Sequence, residues 1–118
     1  MLSSDPTAAR ALLTGRMAQD GERVLAELTL SGGALGGAGA LAVGPERLWL
    51  AQPQLLGGPS VASVALSEVG AGSCRPRPAL LGGCRLVLKV SGRAVRFATP
   101  AAADEVARFL AALEDARR

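Results

Sequence analysis

The sequence predicts a mainly β chain of the α+β class, with a helix at each end and about six or seven short strands between them. Three observations predict it. Two-residue alternation of apolar and polar positions recurs in short runs, as in Glu22–Leu30 and Cys84–Val90. Glycine- and proline-bearing turn signals separate those runs. Each end of the chain shows helical spacing instead. Short strands at such intervals build a barrel or a sandwich. A single terminal helix with one apolar stripe must then cover an open end or face of it.

Thr7 to Gln19 is the first helix: Ala8, Leu12, Leu13 and Met17 recur near the helical period, Asp5-Pro6 starts it and Asp20-Gly21 stops it. Glu22 to Leu30 is a strand, with Val24, Ala26, Leu28 and Leu30 on one face. Ser31 to Gly39, SGGALGGAG, is a glycine connection. It matches neither phosphate-binding glycine motif, and a strand rather than a helix follows it. Ala40–Val43 and Arg47–Ala51 form a hairpin across Gly44-Pro45-Glu46, and Pro53–Pro59 is a loop. Ser60 to Val69 alternates with a slip between Val61 and Val64, which predicts a bulge there. Gly70-Ala71-Gly72 loosens the chain, and the prolines of Arg75-Pro76-Arg77-Pro78 exclude a central strand.

Cys84–Val90 is a strong strand with Leu86, Leu88 and Val90 inward. Ser91-Gly92 turns it into a partner over Arg93–Ala98, with Val95 and Phe97 inward. Thr99-Pro100 then predicts the cap and first position of the last helix. Val106, Phe109, Leu110 and Leu113 supply its apolar stripe, and Asp104–Arg108 and Glu114–Arg118 are spaced as ion pairs on its wet side.

At 118 residues the chain is one domain, long enough for a single core without staples. Trp49, Phe97 and Phe109 are its only aromatics, so that core is aliphatic. Lys89 is the only lysine beside many arginines; with abundant alanine and glycine, this reflects GC-rich coding rather than binding chemistry. No apolar run approaches the ~20 residues a membrane span needs, and the first residues lack a signal-peptide pattern, so the expected location is cytoplasmic. A net charge of +3, without aromatics interleaved among the cations, argues against nucleic acid as a partner.

Catalysis lacks its usual parts. There is no histidine and no tyrosine, and the carboxylates fall in solvated patterns. Cys74 has Arg75 beside it as an activator, but one neighbouring cation on a loop is weak activation, and a structural thiol is the plainer reading. Cys74 and Cys84 are expected as free thiols, with a cross-strand disulfide as the alternative. Two sulfurs without histidine do not make a zinc site, and no cofactor is expected.

The one mark of function is charge. Between Glu68 and Asp104 no acidic residue occurs, while Arg75, Arg77, Arg85, Lys89, Arg93 and Arg96 all fall there, on a ribbon just before the last helix. Such a patch suits anionic lipid head groups; the plainer reading is a solvated face that keeps a strand edge from pairing. Trp49 has two readings as well. It is an exposed hot spot for self-assembly, or it plugs a barrel end beneath the first helix.

This order of elements resembles the pleckstrin-homology-like (PH-like) barrel, and more closely its bacterial and GRAM-type members. The likeness is carried by Gly21-Glu22-Arg23-Val24-Leu25, similar to a GE-x-V-L lead-in to the first strand, and by GALAVGPERLWL at Gly39–Leu50. It continues in SVALSEVG at Ser63–Gly70 and in the final strand and helix at Arg93–Leu113. Gly44 departs from the threonine often found in that family's hairpin, which leaves the turn type open. The resemblance implies two bent antiparallel sheets closed by the C-terminal helix: first helix about 7–19, barrel about 22–98, last helix about 100–117. It further implies a non-enzymatic module that binds a protein, a peptide or a lipid; a second copy of the chain is the partner that the exposed reading of Trp49 adds. The family's phosphoinositide mode uses cations around the first hairpin loop; here Ser31–Gly39 carries none.

Overall fold

The computed structural model describes residues 6–31, 39–52, 60–78, 80 and 82–118. The two expected glycine- and proline-rich connections, Ser31–Gly39 and Pro53–Pro59, lie almost wholly outside the described residues. Helix α1 spans Pro6–Gln19 and helix α2 spans Ala103–Arg117. Between them run β1 (Ala26–Leu30), β2 (Gly39–Val43), β3 (Arg47–Gln52), β4 (Ser60–Ala65), β5 (Val69–Pro76), β6 (Cys84–Val90) and β7 (Arg93–Thr99), with a 3-10 turn at Leu66–Glu68. The strands form two antiparallel sheets, β1-β2-β3-β4 and β5-β6-β7.

The four-stranded sheet is covered on both faces at β2 and most of β3, and residue size decides which face meets what. β2 reads Gly-Ala-Leu-Ala-Val and is buried throughout. Its Leu41 and Val43 point into the main core with Leu28, Leu30 and Leu48. Its Ala40 and Ala42, with Ala51 of β3, form a shallow floor on the other face, where Leu13 and Met17 of α1 settle. Small residues there let a helix lie close to the backbone of the sheet. The main core fills the space between the sheets and is closed by Val106, Phe109 and Leu113 of α2, the stripe that the spacing predicts.

The sheets meet where β1 ends. The Ser31 N–H donates to Ala98 O at 2.7 Å, and Thr99 Oγ1 donates to Thr29 O. The ladders nonetheless remain two separate sheets, and among the described residues they do not run round into a closed barrel.

Several local expectations are corrected. The first strand starts at Ala26 rather than Glu22, because α1 ends in a left-handed cap. Gly21 has φ +75°, its N–H reaches Ala18 O at 3.1 Å, and the Glu22 N–H returns to Met17 O at 2.8 Å. Val24 consequently packs against the α1 cluster, not the main core. The predicted bulge between Val61 and Val64 is absent: β3 and β4 pair in unbroken register from Arg47↔Ala65 to Gln52↔Ser60. The irregularity comes later. The chain turns at Leu66–Glu68, and the register shifts between Val69 and Gly72, inside a segment expected to be loose and found to be strand. Pro76 does end an edge strand, as its missing donor requires.

Thr99 is not the helix cap. It is the last residue of β7, its hydroxyl also accepts from the Ala101 N–H, and α2 begins at Ala103 behind Ala102. Asp104 and Arg108 pair at 3.9 Å, but the last turn pairs Glu114 with Arg117 and Asp115 with Arg118, three residues apart rather than four. The Ser91-Gly92 turn has φ of 52° and 82°, the two left-handed residues of a hairpin turn that matches strand twist. Ser91 accepts that backbone because its N–H donates to Glu68 O at 2.7 Å and its hydroxyl to Glu68 Oε2 at 3.1 Å.

Candidate binding surface

Register decides which ribbon cations share a face. In β6, Cys84, Leu86 and Leu88 are buried while Arg85 and Lys89 are exposed. Arg75 lies directly opposite Arg85, and Arg96 opposite Val87. Arg75, Arg85, Lys89 and Arg96 therefore project from one outer face of the three-stranded sheet, with the half-buried Val87 among them. At ordinary strand spacings the four span a patch of roughly 10 by 13 Å. Neither helix covers it: α1 packs on the four-stranded sheet and α2 on the inner face.

The other two cations part company. Arg93 has the opposite parity, beside Val95 and Phe97, across from Val90 at the hairpin end. Arg77 lies past the end of β5, half-buried, its N–H donating to Gly83 O at 3.0 Å.

The patch is electrostatically uncompensated. Among the described residues the ion pairs are Arg10–Glu27 at 2.9 Å and the three on α2. None uses a ribbon cation. Like charges directly opposite each other on a sheet destabilise it, so the Arg75–Arg85 pair is a cost the free protein carries. At the same end of the ribbon the connection to β6 lifts Leu80 into solvent, 99% exposed.

Trp49 is not at a surface. It is 2% exposed beneath α1, packed with Leu13 and Met17; it lies under the first helix, as one of its two sequence readings expects, but on the outer face of the four-stranded sheet rather than at a barrel end. Its Nε1 donates to Glu22 Oε2 at 2.6 Å. Glu22 Oε1 accepts from the Glu46 and Arg47 N–H groups at 2.9 and 3.0 Å. One carboxylate thus ties the end of α1 to the β2–β3 turn and to the indole. It also accounts for Gly44, where a Cβ would stand 2.7 Å from Glu22 Oε1. Sequence pattern gives no sign of this clasp, since its partners are 24 to 27 residues apart.

Cys74 and Cys84 are both free. Cys74 pairs with Leu86, so Cys84 is its diagonal neighbour on the inner face. Diagonal separations of ~7–8 Å exceed the usual reach of a disulfide. Burial pushes the Cys74 thiol up, and its hydrogen bond to the Cys84 thiol adds to this. Arg75, its neighbour in the strand, points to the other face and does not activate it.

Among the described residues no three potential metal-ligating side chains gather, and no helix is long and apolar enough to cross a membrane. The chain matches no known family model and no curated protein sequence.

Proposed function

We propose that this protein is a non-enzymatic binding module with a PH-like arrangement of bent sheets, and that it attaches to an anionic bilayer surface through the outer face of its three-stranded sheet. The observation that supports this reading most is the set of four exposed cations on one sheet face, two of them directly opposed, with no ion pair and no covering element among the described residues. A solvated edge is served by scattered charges; here two cations lie directly opposed, and no described carboxylate forms an ion pair with either. Near an anionic leaflet each cation contributes about 1 kcal/mol, so the four supply about 4 kcal/mol at low salt.

Leu80 favours a bilayer over an acidic protein. Electrostatic attraction alone holds a protein loosely; a second, apolar signal beside it makes attachment stable. A fully exposed leucine at the same end of the ribbon as Arg75 and Arg85 is such a signal. The face is flat and the first hairpin connection lacks cations, so the reading includes no stereospecific head-group pocket.

Co-sedimentation with phosphatidylserine vesicles tests it. Reversing Arg85, Lys89 and Arg96 to Glu removes at least about 3 kcal/mol, a loss of more than about a hundredfold. The same reversal at Arg16, Arg23 and Arg118 should change binding far less. Binding of the native protein should fade as salt rises from 0.1 M toward 1 M, where the screening length falls from ~10 to ~3 Å. Equal losses from both triple reversals, or no adsorption at low salt, would refute the assignment.

A further inference from the structure

The space between the sheets is not filled to its end. Away from α2 a cleft of about 210 Å³ remains, walled by Leu48, Leu50 and Val64 of the four-stranded sheet and by Val90, Val95 and Phe97 of the three-stranded one. Leu50, Val64, Val90, Val95 and Phe97 are only half-buried, although their faces point at each other across the core. Elsewhere that core is closed by α2. The cleft is the place where aliphatic side chains are left half-covered together.

Water is a poor occupant. The cleft opens to solvent, so water at its apolar walls is released, with a gain in free energy, when an apolar group covers them. Among the described residues Ser63 is the one polar residue on the lining, and its Oγ already accepts from Arg47 Nε at 2.8 Å. Dry apolar cavities of roughly 150 Å³ take small hydrocarbons, while drug-sized ligands need roughly 300 Å³ or more. A volume between those limits suits a slender apolar group. The charge at the rim narrows the choice further. Arg93 lies opposite Val90 and one pleat beyond Val95 on the same face, so it stands at the edge of the cleft; it is exposed, and no described carboxylate pairs with it.

We propose that the cleft takes one alkyl chain of an anionic amphiphile, with the acidic head group held at Arg93. This rests on, and deepens, the reading that the protein meets anionic lipid, since it adds a chain site between the sheets, on the side of the three-stranded sheet away from the four-cation face.

Decanoate below its micelle concentration is the probe, with decanol as its uncharged counterpart, followed by calorimetry and by methyl chemical shifts. Saturable binding of one decanoate per chain is expected, with the shifts confined to Leu50, Val64, Val90 and Val95. Ala62→Phe fills the mouth from an exposed position of β4 and should weaken both probes by at least about tenfold, as blocking two methylenes from burial does. Arg93→Gln should weaken decanoate about twofold to fivefold and leave decanol unchanged. Excess decanoate that displaces the protein from vesicles places the chain in a bilayer lipid; unchanged adsorption makes a free amphiphile the occupant.

The two proposals fail separately. The Arg85, Lys89 and Arg96 reversal should leave decanoate binding intact, and Ala62→Phe should leave the fall of adsorption with rising salt intact, whether or not its total adsorption drops with the cleft. No saturable decanoate binding, shifts outside the cleft, or a folded Ala62→Phe variant that binds like the native protein would overturn the inference. The native-protein shifts decide it even if Ala62→Phe fails to fold.

Discussion

Glu22→Ala should be among the most damaging single changes on the α1 side of the molecule. The carboxylate accepts three hydrogen bonds, from Glu46 N at 2.9 Å, Arg47 N at 3.0 Å and Trp49 Nε1 at 2.6 Å. The Glu46 donor is exposed, and water replaces its partner at little cost. The Arg47 and Trp49 donors are part-buried, and hydrogen bonds to a charged acceptor contribute about 1.5 to 3 kcal/mol each when fully enclosed. Discounting both for partial exposure leaves about 2 to 3 kcal/mol. For 118 residues the unfolding entropy is about 0.25 kcal/mol/K, so the melting temperature should fall by about 8 to 12 °C. Glu22→Gln separates charge from geometry. Its amide oxygen can serve the two backbone donors, but its NH₂ then faces the indole N–H, so about half the loss should remain. The assay is urea unfolding followed by tryptophan fluorescence, and Trp49, the only tryptophan, sits in the clasp itself. A native-like midpoint and emission maximum for Glu22→Ala would refute the reasoning, because the clasp would then contribute nothing that water cannot replace.

Phe109→Ala, at a side chain 2% exposed between α2 and the sheets, should cost about 3 to 5 kcal/mol in chemical unfolding; a loss under 1 kcal/mol would mean that α2 does not close the core. Cys74 holds its proton above the ordinary thiol range, so its contribution to stability is complete below the unfolded value of about 8.5 and is lost as pH rises through the folded one. Native protein should accordingly alkylate slowly with iodoacetamide at pH 8 and quickly in urea, and equal rates in both would contradict the burial of Cys84 and the raised thiol of the half-buried Cys74.

The elements that sequence made legible are those whose information is local. β6 and the Ser91-Gly92 turn carry strict alternation and a two-residue turn signature, and both stand where the pattern puts them. The α2 stripe is likewise local and likewise found. The failures share a different cause. Thr99 has the residue type of a helix cap, but a carbonyl of Thr29, 70 residues away in sequence, takes its hydroxyl proton. Gly70-Ala71-Gly72 reads as loose chain because two glycines carry no β preference, yet Gly72 is needed in a strand. A Cβ there would stand 2.6 Å from Leu88 Cδ2 and 2.7 Å from Leu110 Cδ2. For the site, alternation placed Arg85 and Lys89 on one face, whereas adding Arg75 and Arg96 and removing Arg93 required the pairing register. The half-filled cleft is a property of two sheets together, and nothing in either strand's pattern announces it.

The distribution of covered and uncovered sheet faces connects fold to function. Two sheets have four faces. The facing inner pair holds the main core, and the outer face of the four-stranded sheet is covered by α1, which its alanine floor admits. Only the outer face of the three-stranded sheet has no element of this chain against it among the described residues. That fourth face cannot be made apolar without inviting aggregation. Ordinary solubility would be served by mixed charge, as on the wet side of α2, where each arginine has its carboxylate. Instead the face carries four cations and no acid, and tolerates the repulsion of Arg75 by Arg85. A surface left in that state loses its repulsion only when anions arrive from outside. On the proposed attachment an anionic surface relieves that repulsion, and the strength of binding should then track how closely the surface's charges are spaced.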